Sequence, residues 1–318
     1  MNLRKRTSLR DGLSLALLAA CIIGLITVVS IGRPSPRMAA SVAPTVIARG
    51  PTVPAATYII HQAETHSAPL LQAAFDRIGF DLDSVAAGYI SVPRVLLSAL
   101  PPDIERLDSM DARKVLFLRT LLPVVLAVND EIGADRARLL DVRAQIASGT
   151  PLADADVQWV MGLADVYDQP DADIGALLKK IDVIPPSLTL AQAIQESGWG
   201  TSRIAREQNA LFGQFGQDAS GGWDYRDFES LSEAVQSYAH NLNTHRAYRE
   251  FRAARAKMRQ KGADIDAWEL ASTMHRYSER GDEYVQAVRS IMRDNSLESF
   301  DAARLKGRGV PTIVASNE

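Results

Sequence analysis

Residues 184–202 read Ile-Pro-Pro-Ser-Leu-Thr-Leu-Ala-Gln-Ala-Ile-Gln-Glu-Ser-Gly-Trp-Gly-Thr-Ser. The two prolines fit the first turn of a helix, where a missing backbone N–H costs little. Small and apolar residues then recur at helical spacing and predict one narrow buried face: Leu190, Ala193, Ile194 and Ser197. Gly198 and Gly200 should end this helix, and Thr201 or Ser202 can cap the next one. The stretch therefore predicts two helices joined by a tight glycine turn.

Glu196 lies in the last turn of the first predicted helix, which is the negative end of the helix dipole. Trp199 follows three residues later and can cover the carboxylate. Both effects disfavour the charged form and should raise the pKa of Glu196. A carboxylic acid that stays protonated near neutral pH can protonate the leaving oxygen of a glycoside. The alternative interpretation is an ordinary exposed glutamate at a helix end.

The motif Gln195-Glu-Ser-Gly-Trp-Gly-Thr-Ser202, followed by Asn209-Ala-Leu-Phe-Gly213, resembles the bacterial glucosaminidase family of peptidoglycan hydrolases. Within that family the likeness is to Bax-type proteins of proteobacteria, which are unrelated to the animal apoptosis protein. It is strong over about residues 181–295 and weaker over about 92–140. The resemblance implies a mainly all-α fold with a lysozyme-like catalytic lobe and a small loop or β-hairpin lobe. It also implies that Glu196 is the catalytic acid.

The same resemblance implies further residues of a sugar cleft. The expected substrate-binding residues are Trp199, Asn209, Phe212 and Gly213. The Phe212 ring can stack on a sugar face, although a place in the core is an equal alternative. Tyr277 matches a tyrosine that projects into the cleft in the family, where it would hold the acetamido group of the substrate or a water. Its alternative is a buried tyrosine with a satisfied hydroxyl.

A second catalytic carboxylate should come from the Gly- and Asp-rich loop that follows the motif, if this chain has one. The candidates are Asp218, Asp224, Asp227 and Glu229. None of them stands out by spacing or surroundings, and this loop is shorter than the hairpin of the relatives. The other option is that the acetamido group of the substrate attacks in place of a carboxylate, which is an established exception to the two-carboxylate scheme.

The N-terminal segment predicts export. Residues 1–11 are basic and should stay in the cytoplasm, and residues 12–32 form an uncharged run long enough to cross a bilayer as a helix. An uncleaved signal anchor fits best, which would place a single-pass protein in the cell inner membrane with its catalytic domain in the periplasm. A cleaved signal peptide is the second interpretation. The third is a lipoprotein, because Leu18-Ala-Ala-Cys21 resembles a lipobox.

The remaining chain divides by composition and periodicity. Residues 33–67 are rich in Pro and Ala and predict a flexible tether. Residues 68–180 predict a helical support region in which Pro123 kinks or splits a helix over 112–132 and a charged helix follows over 135–147. Residues 181–300 form the predicted glucosaminidase domain, and residues 301–318 a poorly ordered tail. Leu70, Val157 and Trp268 are among the apolar residues expected on buried helix faces.

Composition excludes several classes of function. The net charge of −3 gives no basic field for nucleic acid, and the single cysteine, Cys21, allows no intramolecular disulfide. Two histidine pairs, His61 with His66 and His240 with His245, are spaced by five residues and miss the spacing that puts two ligands on one helix face. We therefore predict no metal and no cofactor.

These observations predict an endo-β-N-acetylglucosaminidase that cleaves peptidoglycan glycan strands, with Glu196 as general acid. One alternative is a muramidase or lytic transglycosylase that acts on the same polymer through a similar lobe. The other is a membrane-anchored glycan-binding or scaffold protein without turnover.

Overall fold

The computed structural model describes residues 59–217, 222–307 and 313–315. They belong to one compact unit that spans Pro54–Glu318. The predicted membrane segment at 12–32 and the first part of the tether lie outside the described residues, as does Asp218. Among the helices that are described, none combines the length and apolarity needed to cross a bilayer.

The described chain is mainly helical, as predicted. Its longer helices are α2 (Ala68–Arg77), α4 (Met110–Ala147), α5 (Asp154–Val166), α7 (Pro186–Ser197), α9 (Leu231–Thr244), α10 (Arg249–Gln260) and α12 (Asp282–Asp294). Short helices lie between them: α1 (Gln62–Thr65), α3 (Leu82–Ala86), α6 (Ile174–Lys180), α8 (Arg203–Glu207) and α11 (Ala267–Ala271). The strands are β1 (Ile59–His61), β2 (Phe215–Gln217), β3 (Trp223–Tyr225) and β4 (Ile313–Ala315).

Helix α7 lies at the centre and begins and ends where the sequence predicts. Pro185 is its N-cap, and Gly198 ends it in the left-handed conformation at φ 60°. The helix packs against α4, α11 and α12. The prediction of one narrow buried face is wrong, because every residue from Pro186 to Ile194 is buried. Its polar residues therefore need partners inside the protein.

Helix α4 corrects two predictions about the middle region. It runs for 38 residues without interruption, so Pro123 neither splits it nor separates a second helix over 135–147. Ser109 caps its start by accepting a hydrogen bond from the backbone N–H of Ala112 at 3.0 Å. Residues 116–128 are buried on all sides of the helix. The packing of this segment compensates for the backbone hydrogen bond that the proline cannot donate.

The strands are short and pair in two places. β2 and β3 form an antiparallel hairpin in which Phe215 pairs with Tyr225, and this is the expected small lobe. β1 pairs in parallel with β4. Residues 59–65, expected at the end of the tether, thus form a strand and a helix, and part of the predicted tail pairs with that strand.

The segment after residue 300 is also tied to the body of the protein. Asp301 accepts hydrogen bonds from the backbone N–H and the hydroxyl of Ser187, at 2.8 and 2.7 Å. Ser187 lies in the first turn of α7, so this carboxylate satisfies a free donor at the positive end of the helix. Leu305 forms a further bridge to Val92. The prediction of a poorly ordered tail is therefore wrong for residues 301–307.

Three apolar residues expected on buried faces lie at the surface: Leu70, Val157 and Trp268. The Trp268 ring is covered on one side by the guanidinium of Arg289, 4.8 Å from its centroid. Stacking of a guanidinium on the ring stabilises Trp268 at the surface. The helical pattern alone predicted that this ring is buried.

Candidate active site

Glu196 occupies the last turn of α7 and is partly buried. Burial raises the pKa of its carboxyl, whereas a hydrogen bond from the Tyr284 hydroxyl and the positive charge of Arg280 oppose that rise. It forms no ion pair with any described residue, and the groups that touch or neighbour it are mainly neutral. The carboxyl is therefore placed to hold a proton at a higher pH than an exposed glutamate does.

Gly213 lies directly against the Glu196 carboxyl. A Cβ added at Gly213 would be 3.1 Å from Oε2 of Glu196, and the residue has φ +61°. Both facts require glycine, because a side chain would be strained and would push the carboxyl aside. The structure thus brings together Glu196 and the end of the Asn209–Gly213 segment, which the motif predicted to line one cleft.

A buried chain of hydrogen bonds also reaches Glu196, through Tyr284. The Tyr238 hydroxyl donates to Oε1 of Gln192 at 2.7 Å, and Nε2 of Gln192 donates to the Tyr284 hydroxyl at 3.0 Å. Because Tyr284 accepts from Gln192, its own hydrogen is free to point to the Glu196 carboxyl. Burial and the charge of Glu196 raise the pKa of Tyr284 well above its usual value, so it remains a donor.

Tyr277 lies beside this chain. Its ring stacks on Tyr284 with centroids 5.4 Å apart and planes 10° apart. Its hydroxyl donates to the backbone carbonyl of Phe212 at 3.0 Å. Burial raises the pKa of Tyr277 first, and the charge of Glu196 adds to that rise. Tyr277 is therefore close to the predicted acid, and its hydroxyl holds the segment that carries Gly213.

Of the two interpretations of Phe212, the structure supports a place in the core. The residue is 1% exposed and its ring stacks on Tyr238 at 4.1 Å, so it belongs to the core and presents no face to a sugar. Asn209 is likewise buried, with φ +52°, and its amide donates to the carbonyl of Phe228 at 3.0 Å. Through these buried contacts, both residues fix the position of the Asn209–Gly213 segment, which ends beside Glu196. Their side chains do not line an open cleft.

Trp199 also differs from its prediction. It adopts φ +62° and its ring packs edge-on against Phe117 of α4, with centroids 5.8 Å apart. The ammonium of Lys114 lies 5.2 Å from the ring centroid. The close ring contacts of Trp199 are thus with α4, whereas tyrosines surround Glu196.

The three described candidates for a second carboxylate are exposed. Asp224 lies in β3 and accepts a hydrogen bond from the neighbouring N–H of Tyr225, whereas the carboxylates of Asp227 and Glu229 bind no other described residue. None of the three exerts a charge effect on Glu196. The structure therefore brings none of them into contact with the predicted acid.

Sequence analysis missed Gln192, Tyr238 and Tyr284 as residues of this site. Gln192 precedes Glu196 by four residues and so lies on the same face of α7. A glutamine one turn before the predicted acid, on the same helix face, was the available signal. The two tyrosines belong to α9 and α12, and only the tertiary fold brings them to α7.

Within the described part of the chain, no group of three His, Cys, Asp or Glu side chains is arranged to hold a metal ion. The groups that can act chemically at this site are the Glu196 carboxyl and the tyrosine hydroxyls around it.

Comparison with known proteins adds independent observations to this geometry. Residues 172–297 match the glucosaminidase family model, described as mannosyl-glycoprotein endo-beta-N-acetylglucosaminidase. The chain is also 32% identical over 203 residues to the protein bax of Escherichia coli strain K12, across 61% of this chain and 74% of that relative. The chain belongs to the glucosaminidase family. It is therefore a glycoside hydrolase by family, and the matched segment contains Glu196 together with the residues around it.

One solved structure similar to this glucosaminidase is the crystal structure of the catalytic domain of the autolysin Auto from Listeria monocytogenes. The match covers 51% of this chain and 97% of that domain, with 17% identity and a TM-score of 0.28. At that score the superposition supports no argument about this chain.

Proposed function

We propose that this glucosaminidase hydrolyses the β-1,4 bond after N-acetylglucosamine in peptidoglycan, through a lysozyme-like lobe formed around α7. The observation that carries the proposal is the environment of Glu196. Its carboxyl is partly buried, has a raised pKa, and contacts a tyrosine hydroxyl and a glycine in place of a cation. Such a carboxyl can keep its proton until a glycosidic oxygen arrives.

In the first step Glu196 donates its proton to the leaving oxygen, and the bond from that oxygen to the anomeric carbon breaks. The carboxylate that remains is negative and partly desolvated. The Tyr284 hydroxyl then stabilises this charge, because a hydrogen bond to an ionised acceptor is stronger than one to the neutral acid. Gln192 supports this role by occupying the acceptor side of the Tyr284 oxygen. The hydrogen bond is thus strongest when the charge has developed.

For the group that displaces the leaving oxygen we propose the acetamido oxygen of the substrate, which bonds to the anomeric carbon as the glycosidic bond breaks; water then attacks that carbon, opens the ring so formed and gives the hydrolysed product. Asp224, Asp227 and Glu229 are exposed, and none of their carboxylates bonds to a residue around Glu196 in the described chain, which favours this option. Two carboxyl groups in a retaining glycosidase lie about 5–5.5 Å apart, and at that distance a second carboxylate would raise the pKa of the first.

The decisive experiment uses the compact unit from Pro54 onward and its Glu196→Gln variant. Each protein is incubated with purified peptidoglycan, and the products are reduced with borohydride and weighed by mass spectrometry. We expect reduced N-acetylglucosamine ends from the parent and a rate about 10²–10⁴-fold lower from the variant. Glu269→Gln, which changes an exposed glutamate of α11 in the same way, is the matched control and should leave the rate unchanged.

Other products of the same assay would identify a different function. Reduced muramic acid ends would identify a muramidase, and anhydro-muramic ends a lytic transglycosylase. Glycan that binds without any product would identify a scaffold. The triple variant Asp224→Asn, Asp227→Asn and Glu229→Gln should remain active, and a loss comparable to that of Glu196→Gln would assign one of these residues as the second group.

We also propose that residues 12–32 anchor the enzyme in the inner membrane and that its catalytic unit acts in the periplasm. The support is the uncharged run behind a basic N-terminus and a polymer substrate outside the cytoplasm. The full chain should stay with membranes after alkaline carbonate extraction, whereas a chain that starts at Pro54 should be released. A full chain found in the soluble periplasm at reduced mass would indicate a cleaved signal peptide.

A further inference from the structure

A pocket lies among α4, α6 and α10, and the residues that form it are distinct from those around Glu196. Its volume is about 680 Å³, which is within the usual range of ligand sites. Part of the chain between α6 and α7 forms one side, at Asp182 and Val183. Neither the family membership nor the proposed reaction assigns a role to it.

The lining of this pocket is strongly basic. It contains four cationic side chains and one carboxylate, namely Arg136, Arg143, Lys179, Arg259 and Asp182. The chain as a whole has the opposite sign, with a net charge of −3. Positive charge is thus concentrated here against the overall balance, and such a concentration attracts anions.

The charge of Asp182 is already shared at the floor of the pocket. Arg259 binds its carboxylate through two nitrogens at 2.9 and 3.1 Å, and a nitrogen of Arg136 lies 3.4 Å away. The buried guanidinium of Arg255 lies behind this floor and donates to the backbone carbonyls of Asp182 and Val183. One carboxylate therefore faces more than one guanidinium, and the floor keeps an excess of positive charge.

Arg143 and Lys179 form the free part of the site. Both are exposed, and neither side chain makes a hydrogen bond or ion pair with another residue in the described ranges. Arg143 follows Arg136 by seven residues, so both lie on the same face of α4. Burial lowers the pKa of Arg136, the charge of Asp182 opposes that effect, and the charges of Arg259 and Arg143 add to it. A bound anion would relieve this repulsion.

The walls between these cations are apolar. They are formed by aliphatic and small side chains: Ala137, Leu140, Leu178, Val183 and Ala256. A free inorganic ion would leave these walls in contact with water. A ligand with aliphatic parts between its negative groups would cover them and gain hydrophobic contact as well as charge pairing.

We propose that this pocket binds a short acidic peptide, whose carboxylates pair with Arg143, Lys179 and Arg259 while its aliphatic parts cover the apolar walls. The site binds and does not catalyse, so it goes beyond the proposed reaction. Only the source of the peptide rests on that reaction, since in peptidoglycan the peptide is joined to the glycan and binding here would hold the strand.

The test measures binding to the full chain in nonionic detergent by isothermal titration calorimetry, in the Glu196→Gln background so that glycan cleavage plays no part. The probes are the tripeptide Ala-Glu-Ala with free carboxylates, the same peptide with both carboxyls amidated, and inorganic phosphate. We expect the acidic tripeptide to bind. The affinity of the amidated peptide should be lower by a factor of about ten or more. Phosphate should not compete at equal concentration, and added salt should weaken binding.

The double variant Arg143→Ala and Lys179→Ala should lose about tenfold or more in affinity for the acidic tripeptide. The matched control is Arg106→Ala with Arg249→Ala. It removes the same charge from exposed arginines that make no hydrogen bond or ion pair in the described chain and do not line the pocket. It should keep the affinity of the parent. Thermal unfolding should be the same for both variants, because no described side chain bonds to the residues removed.

Four results would overturn the proposal. These are no binding of the acidic tripeptide, equal binding of the amidated peptide, equal competition by phosphate, or the same loss of affinity in the control. Failure of the hydrolysis assay with intact tripeptide binding would reject the proposed reaction and keep this site. The reverse combination would reject the site and keep the reaction.

Discussion

Two carboxylates have opposite surroundings: Asp182, which lies just before α7 and is buried, and Glu196, which lies in the last turn of α7 and is partly buried. Asp182 is 1% exposed and lies among guanidinium groups, two of which form ion pairs with it. Glu196 is also largely enclosed, but a tyrosine hydroxyl and a glycine are its neighbours, and Arg280 acts on it only through charge. The same chemical group is thus surrounded by charge in one place and by neutral groups in the other.

The difference indicates that one carboxylate stabilises the fold and the other is suited to catalysis. A buried charge that is paired and hydrogen-bonded joins the elements around it, and removing one partner leaves the others uncompensated. A buried carboxyl without a contacting cation contributes little to stability, and its raised pKa suits proton transfer. Asp182 joins α4 and α10 to the chain before α7, whereas Glu196 is free to give up its proton.

The largest effect on stability is expected from Asp182→Asn. The substitution leaves the buried Arg255 and the half-buried Arg136 without a neighbouring carboxylate and removes the ion pair with the more exposed Arg259, which should lower the free energy of unfolding by about 3–5 kcal/mol. Urea unfolding followed by circular dichroism measures it. Glu196→Gln is the matched comparison and should leave the free energy of unfolding unchanged or slightly higher, because it removes a carboxyl that has no ion pair. Equal losses in both variants would contradict the distinction.

A smaller effect, and one on activity, is expected from Gly213→Ala. The new methyl would lie 3.1 Å from Oε2 of Glu196 and would displace the carboxyl. Because catalytic groups lose effectiveness when they shift, the hydrolysis rate should fall about tenfold or more. Initial rates of peptidoglycan solubilisation measure it.

The control for this prediction is Gly262→Ala. Gly262 has a similar φ of +65°, and nothing lies within 4 Å of its added Cβ. Both alanines therefore carry the same backbone strain, about 1–2 kcal/mol. Only Gly213→Ala should lose activity, and equal losses would attribute the effect to strain alone.

The smallest effect is expected from Tyr284→Phe, and it appears in the pH profile. Glu196 must be protonated to act, so activity should fall as pH rises through its pKa. The Tyr284 hydrogen bond favours the carboxylate and lowers that pKa. Its removal should therefore raise the pKa further and move the falling limb of kcat/KM to higher pH, while kcat decreases because the developing charge loses a donor.

Tyr89→Phe serves as the control for the pH experiment, since Tyr89 is 83% exposed. Its profile should match that of the parent. A falling limb of Tyr284→Phe that stays in place, or moves to lower pH, would show that the hydroxyl does not act on Glu196.

The elements that depend on local sequence could be predicted. The bounds of α7, its glycine end and the Ser202 cap of α8 follow from proline, glycine and serine at fixed positions. The nearness of Gly213 to Glu196 followed from the family motif and not from spacing. Ser230 caps α9 in the same local way, by accepting a hydrogen bond from the backbone N–H of Glu233.

The features that depend on distant partners could not be predicted. Gln192 and Tyr238 are 46 residues apart, and Gln192 and Tyr284 are 92 apart. No periodicity within one helix reports such pairs. The predicted break of α4 at Pro123 was wrong for a related reason: other helices pack around this segment and compensate for the missing hydrogen-bond donor. The sequence left Phe212 open between the sugar cleft and the core, because the direction of a side chain in a loop has no period.

The bond between Asp301 and Ser187 has a consequence for biosynthesis. The two residues are 114 positions apart, so the first turn of α7 gains its carboxylate only after almost the whole chain has left the ribosome. The first turn of α7 therefore lacks this carboxylate acceptor until Asp301 has been synthesised. Removal of the segment that carries Asp301 would leave the backbone N–H and the hydroxyl of Ser187 without this acceptor, so the start of the central helix depends on a residue far along the chain.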